Sequence, residues 1–318
     1  MDRSGAVAQL RSAVATFAGR YLGDVRPWAV ALSGGADSLA LAAVAAMLRP
    51  TTALIVDHGL QDGSDRVAAT ARDHAMQLGC VDAQVLRVEV GATGGPEAAA
   101  RTARYRALGG GRDGMPVLLG HTLDDQAETV LLGLGRGSGA RSIAGMRPFD
   151  DPWCRPLLGQ RRATTMAACA ELGLTPWHDP HNTDPRFTRV RLRTEVLPLL
   201  EEVLGGGVAA ALARTATALR EDSEALDALA DTHATDGDAL DVSALAVLPS
   251  AVRRRVIRRW LLGSGACDLN DGQLRGVEAL ITDWRGQGGV AVPNGVPGER
   301  LFVARRGGLL TLYREPVG

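Results

Sequence analysis

The chain has 318 residues, 46% hydrophobic and 22% charged, which excludes a disordered polymer and allows two domains, each with its own core. Its formal net charge of -1 excludes binding to nucleic acid through a field spread over the whole surface, so any such contact must come from local patches. All 35 basic residues are arginine, whose planar fork suits paired contacts to phosphate and carboxylate.

The N-terminal segment to Phe17 lacks the unbroken apolar core of a signal peptide and reads as an amphipathic helix. From Trp28 the order is strand (WAVAL), glycine-containing turn, apolar helix, and a second strand (TTALIVD) closing at Asp57. The apolar run Leu39 to Leu48 is too short to cross a bilayer, and no membrane association is expected. A helix around Gly63 to Leu78, a strand at Ala83 to Val90, a helix around Pro96 to Leu108 and a strand at Met115 to Leu119 continue the alternation. Such alternation predicts an α/β fold, a parallel sheet with helices on both faces. Ligands then sit beyond the carboxyl ends of the strands, so the loops after Leu32, Val56 and Leu119 are expected to share one crevice.

Gly205, Gly206 and Gly207 mark a boundary between domains 1–204 and 205–318. Beyond it, helices are expected at Val208 to Ala230, Ala251 to Leu262 and Leu274 to Trp284. Short strands are expected at Val290 to Pro293, Leu301 to Arg305 and Leu309 to Tyr313, the last two joined by Gly307 and Gly308. The second domain is thus smaller and mostly helical or mixed. Cys80, Cys154, Cys169 and Cys267 form no C-x-x-C pair, which argues against a zinc ribbon or disulfide framework and for a reduced, cytoplasmic setting.

Several motifs carry chemistry. SGGADS, Ser33 to Ser38, lies between a strand and a helix, where Gly34 and Gly35 let backbone N–H groups approach an anion and the helix N-terminus favours negative charge. Phosphate is the expected guest of Ser33, Gly34, Gly35, Ala36, Asp37 and Ser38. The loop is neither a G-x-x-x-x-G-K-[ST] nor a G-x-G-x-x-G motif. VDHGL follows the second strand with Val56, Asp57 and His58, and EAAARTARY brings Glu97, Arg101, Arg104 and Tyr105 near one another by helical spacing. In GHTLDDQAETVLLGLGRGSGARSIAGM, Gly120 to Met146, a helix starting near Thr122 gathers Asp124, Asp125 and Glu128 at its N-terminal end. That cluster suits a cation, either Mg2+ or the ammonium of a substrate. His121, with an expected pKa near neutrality, is open to proton transfer or to hydrogen-bonding a phosphate. Arg186, Arg189 and Arg193 are expected on one helical face, able to hold phosphates or a carboxylate. In the second domain Arg253, Arg254, Arg255, Arg258 and Arg259 interleave with apolar residues, a helix with one packed and one positive face.

The SGGADS loop resembles the S-G-G-x-D-S loop of the PP-loop pyrophosphatases, Rossmann-like proteins that cleave ATP between its α and β phosphates. Gly120 to Met146 resembles the same family's G-H-x-x-D-D-x-x-E-T segment. Trp177 to Pro198, with RPLL at Arg155 to Leu158, resembles the D-P-S-N-x6-R-x3-R segment of the tRNA(Ile)-lysidine synthetases. The chain departs from that pattern at His181, where serine is usual, and at Val190, where asparagine is common.

The resemblance implies ATP and Mg2+ as cofactors and, as partners, L-lysine and an isoleucine tRNA with a CAU anticodon, and leaves homodimer formation open. Val56, Asp57, His58 and Gly120 would join the phosphate loop in holding ATP, and Asp37 and Asp125 would hold the metal. Asp37, Arg104, His121, Asp124, Asp125 and Glu128 would carry catalysis, with Arg104, Asp124 and Glu128 near lysine. Arg186, Arg189, Arg193, Arg254 and Arg258 would meet tRNA. The rivals are a PP-loop tRNA thiolase, which relies on clustered cysteines, and a nucleotide-binding module without catalysis.

Overall fold

Apolar runs without alternation need burial on both faces, which a parallel sheet between helix layers supplies. The computed structural model describes every residue except 1–4, 24–26, 60–62, 92–94, 138, 178, 180–182, 234–236 and 318, and for Pro96 and Glu97 the backbone alone. His181 and Leu60 therefore lie outside the described residues. The chain divides into two compact units, Met1–Leu131 with Gly145–Arg214, and Leu132–Ala144 with Thr215–Gly318.

The first unit runs α1 (Ala6–Tyr21), β1 (Trp28–Ala31), α2 (Ala36–Ala46), β2 (Thr51–Asp57), α3 (Ser64–Gln77), β3 (Asp82–Arg87), α4 (Pro96–Gly111) and β4 (Val117–Leu118). Helix α5 (Leu123–Arg136) follows, then α6 (Ala140–Ile143), which falls in the second unit, and then β5 (Phe149–Asp150), β6 (Trp153–Cys154) and α7 (Arg162–Glu171). Next come α8 (Thr188–Arg191), a π-helical turn at Leu192–Val196, α9 (Leu197–Val203) and α10 (Val208–Asp231). The six-stranded sheet has the order β3-β2-β1-β4-β6-β5, parallel throughout except for the last pair.

Strand periodicity sorts the core into two layers. Val30, Leu32, Ala53, Ile55 and Leu118 pack with α1, α2, α3 and α7. Ala29, Ala31, Leu54, Val117 and Leu119 face Leu108 of α4 on the other side. Neither β5, β6 nor α7 is legible in the sequence. The strands are two residues each, and α7 (RATTMAACAE) is held by packing against α1 and α2 rather than by a strong apolar stripe.

The second unit builds a four-stranded antiparallel sheet, β7 (Ala239–Asp241), β10 (Leu309–Pro316), β9 (Glu299–Arg306) and β8 (Val290–Val292) in that order. Helices α11 (Val242–Ala246), α12 (Ser250–Gly263) and α13 (Asp271–Thr282) cover one core with it, including Ile257, Leu261, Val277, Val303 and Leu310. Asp241 caps α11, and Asn270 with Gln273 forms a capping box on α13. No single helix among the described residues is long and apolar enough to cross a membrane.

Candidate active site

The loop from β1 into α2 needs Gly34 in the left-handed region, φ 83°. Ser38 ties the loop shut: its hydroxyl accepts from the Ser33 N–H at 3.2 Å, donates to the Gly35 carbonyl at 2.9 Å, and lies 3.1 Å from the Ser33 hydroxyl. No side chain caps α2 at Gly35, so its first-turn N–H groups suit an anion. Gly120, just past β4, allows a close backbone approach, since a Cβ there would stand 3.0 Å from the Asp37 carbonyl carbon and 3.1 Å from the Ser38 nitrogen.

Two connected cavities open over these loops. One, of about 270 Å3, is lined by Leu32, Val56, Asp57, His58, Arg104 and Leu108 among others. The other, of about 520 Å3, is lined by residues of the 33–38 loop with Gly120, His121, Asp125, Arg162 and Arg193. Ser33, Arg104 and Trp177 belong to both. Trp177 reaches them because its backbone N–H donates to the Gly34 carbonyl at 2.9 Å. Burial pulls the Arg104 guanidinium below its ordinary pKa, and a half-buried cation lining both cavities calls for an anion. Burial and then Arg104 also depress His58.

His121 corrects the expectation of a near-neutral group. Burial pushes its pKa down to about 3, with Arg155, Arg104 and Arg101 acting in the same direction against Asp125. The imidazole is therefore neutral at physiological pH, suited to hydrogen bonding rather than to titration, and its Nδ1 has no partner among the described residues.

The acidic cluster comes together as the spacing predicted and is held by arginines from a helix that the motifs did not mark. Arg162, the first residue of α7, places Nε 3.3 Å from Asp37, Nη2 2.5 Å from Asp125 and Nη1 3.5 Å from Glu128. Arg161 holds Asp124 at 2.9 Å, and the Thr165 hydroxyl donates to Asp37. Burial, reinforced by the charge of Asp125, raises the Asp37 pKa against the pull of Thr165 and Arg162. Burial opposes the charge of Asp125 too, but Arg162 and the Thr122 N–H outweigh it and hold that carboxyl low. Arg161, Arg162 and Thr165 escaped notice in the sequence. The two adjacent arginines just after RPLL were the only local signal.

Of the three arginines expected on one helical face, Arg189 and Arg193 converge on one carboxylate and Arg186 stands apart. Arg186 lies ahead of α8, exposed and paired with Asp184 at 2.7 Å. Arg193 turns inward, with Nε 2.8 Å from the fully buried Glu128, and Arg189 lies 3.9 Å from the same carboxylate. In α12 the expected positive face is largely paired as well. Arg253 is buried against Glu278 at 2.9 Å, Arg254 reaches Glu278 at 3.3 Å, Arg255 reaches Asp227 at 2.8 Å and Arg259 pairs with Asp231. Arg258 donates to the Leu269 carbonyl at 3.2 Å. The G-M of the long motif has a structural part: the Gln126 amide accepts from Met146 N–H at 2.7 Å and donates to its carbonyl at 3.1 Å.

A glycine loop at an uncapped helix, an acidic helix after the fourth strand and a crevice across the strand ends define an ATP-using PP-loop enzyme. Residues 8–200 match the PP-loop domain family, and residues 240–311 match the TilS substrate binding domain. The tRNA(Ile)-lysidine synthase of Mycolicibacterium paratuberculosis is 70% identical over 320 residues, and that of Mycobacterium tuberculosis 68% identical over 324, each match covering 100% of both chains. The chain belongs to the tRNA(Ile)-lysidine synthase family. Among solved structures, the U34-tRNA thiolase NcsA from Methanococcus maripaludis with its 4Fe-4S cluster aligns with a TM-score of 0.53 at 20% identity, covering 68% of this chain and 80% of that one. That likeness is one of fold.

Proposed function

We propose that the enzyme joins L-lysine to C2 of the wobble cytidine in an isoleucine tRNA with a CAU anticodon, in two steps. The C2 oxygen attacks the α-phosphate of ATP and pyrophosphate leaves. The lysine ε-amine, having lost its proton, then attacks C2, and AMP departs with the oxygen. The observation that carries this reading is the meeting of Asp37, from the phosphate loop, with Asp125 and Glu128, from α5, at cavities large enough for a nucleotide.

The roles follow from position. The 270 Å3 cavity suits adenosine between Val56, Asp57, His58 and Leu108, and the 33–38 loop suits the phosphates. Asp37 and Asp125 offer hard oxygen donors that already face one cation, Arg162. Among the described residues no three His, Cys, Asp or Glu side chains gather closely enough to hold a metal alone. That donor set fits Mg2+, which binds through one or two carboxylates together with substrate phosphates, and there it would offset charge on the leaving pyrophosphate. For lysine, a cavity of about 140 Å3 is lined by Asp124, Glu128 and Glu201 with Arg161, Arg162 and Arg193, giving carboxylates for an ammonium and guanidinium groups for a carboxylate. Arg104 lines the nucleotide cavities rather than this one, so we assign it to phosphate. Arg186 and Arg189, with Arg254 and Arg258 of the second unit, are assigned to tRNA phosphates. The thiolase reading gains nothing from the cysteines: Cys169 lines the larger cavity alone, its thiol pushed up to about 11 by burial. Four free cysteines agree with a cytoplasmic setting.

The test is release of AMP and pyrophosphate from ATP with this tRNA, with and without lysine, followed by nucleoside mass analysis. Lysine-dependent AMP release and a cytidine that gains lysine with loss of water are expected. AMP release with sulfur incorporation, or tight ATP binding without AMP, overturns the reading.

A further inference from the structure

Arg162 belongs to none of the motifs, yet its guanidinium meets three carboxylates from two helices, at 3.3, 2.5 and 3.5 Å. It is held in place from behind: its backbone N–H donates to Asp124 Oδ2 at 2.7 Å, and Thr165, one turn along α7, donates to Asp37. The side chain is 22% exposed and lines the larger cavity. The carboxylates differ in what else they have. Glu128 is forked by Arg193 at 2.8 and 3.2 Å, and Asp124 has Arg161. Among the described residues the ion pair Asp37 makes is with Arg162, and the other arginine paired with Asp125, Arg193, stands 3.7 Å away. The charge of Arg162 is thus directed at the two carboxylates assigned to the metal.

Two carboxylates this close repel unless a cation lies between them, and burial strengthens that repulsion. A guanidinium supplies a charge that never titrates away. A divalent ion arriving at the same oxygens would in turn repel it. We propose that in the nucleotide-free enzyme Arg162 occupies the cation position between Asp37 and Asp125, and that it yields this position to the magnesium of Mg·ATP and turns its guanidinium to the phosphates. The carboxylates stay aimed before substrate arrives, and a free divalent ion must compete with a resident charge, so metal enters with its nucleotide. This inference rests on the assignment of Mg2+ to Asp37 and Asp125.

The experiment is Mn2+ titration without nucleotide, followed by electron paramagnetic resonance, on the wild type and on Arg162→Gln, Arg162→Met and Arg162→Lys, each checked for folding by its melting curve. The two neutral variants are expected to bind Mn2+ about tenfold tighter than the wild type, and the lysine variant, which keeps the charge, to stay near it. Wild-type or weaker Mn2+ affinity in the neutral variants overturns the proposal and makes Arg162 a fixed brace. Asp37→Asn and Asp125→Asn separate the two ideas. If they weaken Mn2+ binding while the neutral Arg162 variants fail to tighten it, Arg162 alone is misassigned; if they leave it unchanged, the metal assignment falls as well.

Discussion

Each unit contains a cluster of arginines and carboxylates, and the two clusters use the same pairing for different ends. In the C-terminal unit Glu278 of α13 takes Arg253 and Arg254 of α12, and Arg253 also donates to the Ala246 and Leu248 carbonyls, both at 3.2 Å. The Glu278 carboxylate is answered on both oxygens, and the pairs join two helices over the apolar core. In the PP-loop unit four carboxylates crowd the N-terminal ends of α2 and α5, and the pKa of Asp37 is raised because burial and Asp125 outweigh its partners. A cluster whose pairs lie away from any cavity is a brace, whereas one that lines a cavity and holds a carboxyl above its ordinary pKa by burial is a site.

The contrast can be broken at either end. The largest effect is expected at Asp125→Ala, which should lower AMP release about a thousandfold while chemical denaturation shows a folded protein; near-normal turnover would move Asp125 from the site to the brace. Glu278→Ala should do the reverse, costing about 3 kcal/mol in urea unfolding because it strands a buried arginine, with binding of an ATP analogue unchanged. A smaller, pH-dependent term belongs to His121. Its folded pKa of about 3 lies below the unfolded value of about 6.5, so the unfolded chain binds the extra proton between these limits and stability falls as pH drops through that window. Between pH 7 and pH 5 the wild type should lose about 2 kcal/mol more than His121→Gln, measured by urea unfolding at both values; equal losses would mean that the imidazole is solvated.

Gly120→Ala tests how closely the two motif loops must pack. Its methyl group would press on the Asp37 and Ser38 backbone, and ATP-analogue affinity should fall about tenfold, as overpacking of 1–3 kcal/mol implies. The smallest effect is expected at Arg275→Ala, which removes an exposed pair with Asp271. No change in unfolding midpoint or AMP release should be measurable there.

Much of the first unit was legible because its chemistry is local. Strand β1, the glycine loop and α2 follow from runs of residues adjacent in the chain, and Asp124, Asp125 and Glu128 meet by helical spacing alone. The second unit was legible in its helices and in the β9–β10 hairpin, whose apolar runs flank Gly307 and Gly308, but β7 and α11 are too short to show a period. Arg186 shows the limit of spacing arguments, because the helix begins only at Thr188 and three-and-four counting cannot carry it onto the face from which Arg189 and Arg193 reach Glu128.

The sequence by itself determined the parallel sheet, the phosphate loop and the family, because these rest on periodicity and on motifs contiguous in the chain. Only the tertiary structure decided that Arg162 bridges Asp37 and Asp125, that His121 is half-buried and neutral, and that Arg193 serves Glu128 rather than solvent. Those three facts depend on which side chains meet across more than thirty positions of chain, and on the water excluded when they do. Burial and charge at a point in space are sums over neighbours that no local pattern encodes.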